Sequence, residues 1–179
     1  MNTQGTGTER SGILTGLFSD KESSEGAYQS LRDRGYTDDE INVIMSDETR
    51  NKWFGDDDDS ELGTKAAEGT GYGSAIGGTL GAIIGGISAI GTNLVLPGLG
   101  LIVWGPIAAA LAGAGAGGVT GGLIGALVGW GIPEDRARAY ETGVKNGGTV
   151  LGVTPRSDED ASYFENEWKT NYRGQDIYR

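Results

Sequence analysis

The sequence contains neither cysteine nor histidine among its 179 residues. Without cysteine there is no disulfide framework and no thiol chemistry. Without histidine, the commonest general base and metal ligand is missing. A catalytic centre would have to be built from carboxylate, amine and hydroxyl groups alone. We therefore expect a non-enzymatic protein with no cofactor and no metal site.

Basic residues are also scarce. Lys and Arg number 14 against 25 Asp and Glu, which gives a formal net charge of −11. A nucleic-acid-binding protein needs a basic face to neutralise phosphates, so we expect no nucleic-acid partner. Residues 1–10 are polar and lack the apolar core of a secretory signal. The expected location is therefore cytoplasmic.

Charge is absent from the middle of the chain, because residues 69–133 contain no Asp, Glu, Lys or Arg. Within this stretch glycine recurs at a spacing of four in two rows: Gly69, Gly73, Gly77, Gly81 and Gly85, then Gly113, Gly117, Gly121, Gly125 and Gly129. Residues four apart lie on one side of an α-helix, and glycine there leaves a groove in which a second helix can pack closely. An isolated exposed helix would lose about 1 kcal/mol at each glycine. The two rows therefore predict a pair of helices that pack or oligomerise through glycine, a glycine zipper.

The remaining positions of this stretch are largely apolar. Pro97-Gly98 signals a turn, and Pro106 suits the first turn of a following helix. The stretch 69–131 is therefore predicted to be an αα-hairpin with a hydrophobic tip between residues 92 and 106. We expect the following side chains to face lipid or other subunits: Ile76, Leu80, Ile83, Ile84, Ile87, Leu96, Leu99, Trp104, Leu123, Ile124, Leu127 and Trp130.

The flanking segments show patterns typical of a small α+β domain. Residues 13–18 are predicted to be a strand, followed by a helix that starts at Ser19, which forms a capping box with Glu22, and ends at Gly35. Residues 41–45 are a second predicted strand. After the hairpin come an amphipathic helix from residue 133, a strand at 149–154, a helix capped by Ser157 or Asp158, and a short strand at 176–179. The predicted apolar row is Ala137, Tyr140 and Val144 in the first of these helices and Ala161, Phe164 and Trp168 in the second.

This order, β-α-β followed by β-α-β, predicts an α+β fold with a ferredoxin-like split βαβ head and an inserted glycine-zipper hairpin. The acidic run Asp56–Asp59 lacks the ligand pattern of a calcium loop, so we interpret it as linker. The predicted organisation is a flexible tail at 1–10, the first half of the head at 11–55, an acidic linker at 56–68, the hairpin at 69–131, and the amphipathic helix with the second half of the head at 132–179.

Several blocks of the sequence are distinctive: residues 13–20, 31–41, 96–100, 105–113, 131–141 and 147–153. On these blocks, which span most of the chain, it resembles the bacterial general stress proteins known as heat-induced or low-temperature-induced. The Leu-Pro-Gly block at 96–98 and the Gly-Ile-Pro-Glu block at 131–134 are the most specific. The resemblance implies a role in stress response, with no established catalysis and no catalytic residues to carry over. The sequence departs from the family at residues 53–60 and in its hydrophilic, aromatic C-terminal end.

Three functional hypotheses follow from these patterns. The first is a structural protein of the stress response that self-assembles through the glycine hairpins, with its partner being further copies of itself. A lipid bilayer is the expected additional partner, because a helix over residues 106–130 would span about 37 Å, against a hydrocarbon core of about 30 Å, with Trp104 and Trp130 suited to the interfaces. The protein is then expected to be membrane-associated, with both ends of the hairpin on one side and the α+β head in the cytoplasm. The alternatives are a soluble homo-oligomer or filament without lipid, and a small-ligand-binding regulatory head on a membrane anchor.

Overall fold

The computed structural model describes residues 12–54, 94–96, 100–108 and 122–179. Most of the predicted hairpin therefore lies outside the described residues, as do the predicted tail and acidic linker. The described residues form an α+β fold around one antiparallel sheet of six strands. In chain order the strands are β1 (Leu14–Phe18), β2 (Ile41–Ser46), β3 (Leu94–Leu96), β4 (Leu101–Trp104), β5 (Thr149–Val153) and β6 (Gln175–Tyr178).

Among the described residues, five α-helices accompany the sheet, and residues 106–108 are helical as well. The five are α1 (Lys21–Asp33), α2 (Asp47–Phe54), α3 (Gly122–Gly129), α4 (Glu134–Lys145) and α5 (Asp158–Thr170). A 3-10 turn, Asp38–Glu40, precedes β2. The predicted apolar rows of α4 and α5 are confirmed, because Ala137, Tyr140 and Val144 of α4 are buried. Phe164 and Trp168 of α5 are buried as well.

The strands lie in the order β3-β4-β2-β5-β1-β6, and all neighbours are antiparallel. Since β1 and β2 both run antiparallel to β5, they are parallel to each other and are separated by it. In the same way β1 lies between β5 and β6. The two βαβ units, β1-α1-β2 and β5-α5-β6, are thus interleaved across the sheet.

Helices cover both faces of the sheet. On the first face, α1 and α5 pack against alternate strand residues, and the Trp168 ring meets the Phe18 ring edge-on at 5.4 Å between centroids. On the second face, α3 and α4 pack against the intervening strand residues, including Leu17, Ile44 and Val150. The described residues thus form three layers, and α3 contributes to the third.

The predicted hydrophobic tip is wrong in the part that the structure describes. Residues 94–96 and 101–104 form an antiparallel pair, and β4 continues the sheet beside β2, with Val43 opposite Trp104 and Ser46 opposite Leu101. The reason is that the edge of β2 needs a hydrogen-bonding partner. The run Leu101–Trp104, rich in β-branched and aromatic side chains, supplies it.

The prediction of one continuous helix over residues 106–130 is also wrong. Residues 106–108 are helical, which confirms the position of Pro106 at a helix start. However, Gly122 has φ +60° where α3 begins, a left-handed conformation that a regular α-helix does not contain. α3 therefore has eight residues and a length of about 12 Å.

Local signals explain the other differences. The cap of α1 is Asp20 and not Ser19, since the Asp20 carboxylate accepts a hydrogen bond of 2.8 Å from the Ser23 amide. α2 was not predicted, although the Ser46 hydroxyl accepts the Thr49 amide at 3.0 Å as a cap would. Gly35, at φ +81°, follows the end of α1 as predicted. None of the described helices is long and apolar enough to cross a membrane.

Candidate functional site

The described part of the predicted zipper is α3. Its helical turns end in a Schellman arrangement: the Ile132 amide donates to the Leu127 carbonyl at 3.0 Å, and the Gly131 amide donates to the Val128 carbonyl at 3.0 Å. Gly131 supports this with φ +97°. The apolar contact that accompanies this cap is also present, because Leu127 and Ile132 belong to the same buried cluster. The sequence around residue 131 therefore fixes how α3 ends.

One side of α3 is buried and the other is exposed. Leu123 and Leu127 are 1% and 0% exposed and pack into the second-face core. Gly125 and Gly129 are exposed, and no atom of the described residues lies within 4 Å of the position that a Cβ would take at either glycine. Val128, beside them, is 43% exposed. The helix thus presents glycine and valine outward, with no charged residue along its length.

These positions revise the predicted outward-facing set. Leu123, Leu127 and Trp104 are core residues and do not face lipid or another subunit. Ile124 and Trp130 are partly buried against the second-face core. The physical reason is that the sheet has two apolar faces, and the chain covers the second face with the nearest apolar helix it has.

The remaining predicted residues fall into two groups, of which only the first lies within the described residues. Leu96 lies on β3, the edge strand of the sheet. The residues that lie outside the described ones are Gly69, Gly73, Gly77, Gly81, Gly85, Gly113, Gly117, Gly121, Ile76, Leu80, Ile83, Ile84, Ile87 and Leu99. Their predicted roles stay predictions.

A row of three residues crosses the second face of the sheet, on the side that α3 and α4 cover. Thr15, Gly152 and Asn42 are register partners on β1, β5 and β2. Each contacts a residue that covers this face: Asn42 contacts Ile107, and Gly152 contacts the Trp130 ring. The third, the Thr15 hydroxyl, lies 2.8 Å from the Tyr140 hydroxyl of α4. Tyr140 also donates to the Asp176 carbonyl at 2.6 Å, and burial raises the pKa of Tyr140 to about 12.

This row was missed from the sequence, although two signals were present. Asn42 interrupts an otherwise apolar strand, and a buried amide needs partners for both its donor and its acceptor. Gly152 interrupts another strand, which is a sign of a close approach by a neighbouring group.

A polar network joins the two halves of the sheet at one end. The Tyr36 hydroxyl donates to the Asp160 carboxylate at 2.8 Å and accepts from the Arg156 amide at 2.8 Å. Arg156 also donates to the Glu40 carboxylate at 2.7 Å, and this hydrogen bond holds the pKa of Glu40 below its usual range. Burial raises the pKa of Tyr36 to about 12. The Asp160 and Glu40 carboxylates are both ion-paired. The network therefore connects the segment before β2 to the segment after β5.

A cleft of about 320 Å³ lies beside the first turn of α1, lined in part by Asp20, Ser23, Tyr172 and Arg173. The N-terminus of α1 is already occupied here, because both Asp20 carboxylate oxygens accept hydrogen bonds from Ser23, at 2.8 and 2.9 Å. In the part of the chain that the structure describes, no cluster of three or more acidic side chains could hold a metal ion. The cleft therefore offers mixed charge without a preformed ligand site.

Comparison with known proteins gives no assignment: no family model, curated protein or solved structure matches the chain.

Proposed function

We propose that the chain is a non-enzymatic, self-assembling structural protein, in which a ferredoxin-like head carries an inserted glycine-rich element that binds further copies of the chain. The interleaved order of β1, β2, β5 and β6, with α1 and α5 on one face, supports the ferredoxin-like description of the head. β3, β4 and α3 are the described parts of the insertion.

The two-sided character of α3 carries this proposal. Its leucine side is anchored in the core, so the helix cannot turn its glycine side inward without losing that burial. Gly125, Val128 and Gly129 therefore stay at the surface. A glycine-rich helix surface costs helix stability unless another helix packs against it. A second helix at this surface explains why glycine is present where alanine would be more stable.

A second copy of the chain is the partner that best suits this surface. The chain carries a net charge of −11, so two copies repel each other over most of their surfaces. α3 carries no charge and is a place where that repulsion is small. Two copies related by a twofold axis would each contribute the same patch, as in most homo-oligomers.

The acidic and tyrosine side chains of the head support structure more than catalysis. Tyr36, Asp160, Arg156 and Glu40 bind one another across the two halves. A role in the stress response is part of the proposal, and its support is the sequence resemblance alone. Lipid contact stays a prediction for the parts of the hairpin 69–131 that lie outside the described residues, and the experiment below includes a test for it.

The test replaces the glycine surface and compares assembly. In the double variant Gly125→Leu/Gly129→Leu, large side chains block close helix contact while the buried side of α3 is unchanged. The control, Asn166→Leu, adds a leucine at an exposed position of α5 on the other face. Sedimentation velocity of the full chain should show particles larger than a monomer for the wild type and the control, and a monomer for the double variant.

Two outcomes would overturn the proposal: a wild-type protein that stays monomeric at all concentrations, or a double variant that assembles like the wild type. Detergent and flotation with liposomes separate the alternatives. Particles that detergent does not disperse indicate a protein polymer, whereas flotation with liposomes indicates a bilayer partner.

A further inference from the structure

The segment 107–130, which contains α3, contacts the row of Thr15, Gly152 and Asn42 at both of its ends. At the first end, Asn42 is 2% exposed. Its side-chain oxygen accepts a hydrogen bond of 2.8 Å from the Ile107 amide, at the start of the helical residues 106–108. Its side-chain nitrogen donates to the Gly152 carbonyl at 3.2 Å. One buried amide thus caps a helix of the insertion and joins it to two strands of the head.

The backbone geometry beside Asn42 reinforces this attachment. Gly105 has φ +88°. A Cβ at Gly105 would overlap the Ile41 carbonyl oxygen and would lie 3.0 Å from the Asn42 Cα. The chain therefore passes so close to β2 that only glycine fits, immediately before the capped helix.

At the second end, Trp130 follows the last residue of α3. Its ring lies over Gly152, where a Cβ would be 3.1 Å from the Trp130 Cη2 and 3.2 Å from its Cζ3. Gly152 and Asn42 are register partners on adjacent strands, which are about 4.8 Å apart. Residues 107 and 130 are thus attached to neighbouring points of the same sheet.

We infer that Asn42 and Gly152 are positioning residues for self-association: by fixing both ends of the segment to the sheet, they hold α3 with Gly125 and Gly129 facing outward. The inference depends on the proposed function and specifies how the head controls it. Neither residue can touch a partner, since Asn42 and Gly152 are both buried. Their effect on association must act through the orientation of α3.

The test compares two buried polar residues on opposite faces of the sheet. Asn42→Ala removes the cap of residue 107 and the bond to β5. The control, Ser30→Ala, removes a buried hydroxyl on the first face, which donates to the Ala27 carbonyl at 2.7 Å and accepts from Trp168. Both variants should be less stable in urea. Only Asn42→Ala should weaken association of the folded protein, by about tenfold or more.

Hydrogen exchange adds a readout that general destabilisation does not move. In Asn42→Ala, exchange at the Ile107 amide and along residues 123–129 should accelerate, while α1 and α5 amides keep their wild-type protection. If Asn42→Ala does not fold, Trp130→Leu serves in its place, since it removes the flat ring from Gly152 and leaves the strands intact.

The outcomes distinguish this inference from the function on which it depends. If the folded Asn42→Ala and Trp130→Leu variants associate like the wild type while Gly125→Leu/Gly129→Leu is monomeric, the positioning role is refuted and self-association stands. If the wild type is itself monomeric, both are refuted. Equal weakening by Ser30→Ala would also refute the positioning role, because a general loss of stability would then explain the effect.

Discussion

Substitution of Gly105 by alanine tests the unpredicted part of the sheet most directly. Gly105 connects β4 to the helical residues 106–108, with φ +88°. An added Cβ would overlap the Ile41 carbonyl oxygen of β2. Because the overlapping atom belongs to the backbone of a central strand, it cannot rotate away as the end of a side chain can. Relief requires β4 or β2 to move.

Gly35→Ala is a matched control. Gly35 has a similar φ of +81°, but no atom of the described residues lies within 4 Å of its Cβ position. Alanine there should cost only the left-handed backbone penalty of about 1–2 kcal/mol. Gly105→Ala carries the same penalty plus displacement of a strand, so we expect a loss above about 4 kcal/mol. That is a large part of the about 5–15 kcal/mol that stabilises a typical domain.

Urea unfolding followed by far-ultraviolet circular dichroism measures the two losses on the full chain. The difference between the variants isolates the contact of residue 105 with β2, because the backbone penalty cancels. If both variants lose the same free energy within about 0.5 kcal/mol, no backbone lies against residue 105. The placement of β4 beside β2 would then be incorrect.

Two further substitutions test the second face and one buried carboxylate. Gly143→Ala in α4 places a methyl group against the Leu17 side chain in the core, with Leu17 Cδ1 at 2.7 Å. Overpacking costs about 1–3 kcal/mol and should exceed the gain in helix propensity of about 1 kcal/mol, so the urea midpoint should fall. An increase in the midpoint would contradict the close packing of α4 on β1. Burial raises the pKa of Glu25, and its Oε1 atom is buried with no hydrogen-bond partner in the described structure. A raised pKa in the folded state means that stability is lost as pH rises through that pKa. Glu25→Gln should therefore raise the free energy of unfolding at pH 7, by less than about 1 kcal/mol, because the Lys21 ammonium at 4.0 Å from Glu25 Oε1 offsets part of the burial cost. It should have no effect at a pH below the ordinary glutamate range, and an equal effect at both pH values would refute this.

The secondary structure of the head could be predicted because local patterns determine it. In α5, Ala161, Phe164 and Trp168 recur at helical spacing, and Ser157 caps the helix by accepting the Asp160 amide at 3.0 Å. Period and cap are properties of neighbouring residues, so they can be read without knowing the fold. The α+β class followed from the order of these elements.

The fate of the glycine segment could not be predicted in the same way. Leu123 and Leu127 form an apolar row that suits lipid, a subunit or a core equally well. Which of these applies depends on whether a sheet face remains uncovered, and that depends on strands distant in sequence. The run from Leu101 to Trp104 is similarly short and apolar, and whether it forms a loop or a strand was decided by the unpaired edge of β2.

The candidate site was predicted only in its glycine spacing. Gly125 and Gly129 were identified as a row, and their exposure on α3 is a property of the tertiary structure. The row that attaches the segment to the sheet was not predicted, because Asn42 and Gly152 are 110 positions apart. Each is visible as an exception within its own strand, but their proximity appears only when β5 is placed between β1 and β2.

The interleaving of the strands has a consequence for biosynthesis. β1 and β2 emerge from the ribosome early, yet the strand that joins them, β5, begins at Thr149. Until β5 is made, β1 with Leu14 and Phe18 has no strand to pair with, since its two neighbours in the sheet are β5 and β6, and pairing over such distances is slow. A truncated chain that ends before residue 149 should therefore fail to complete the sheet and depend on chaperones, and the nascent protein should share that dependence until residues 149–178, which carry β5 and β6, are synthesised.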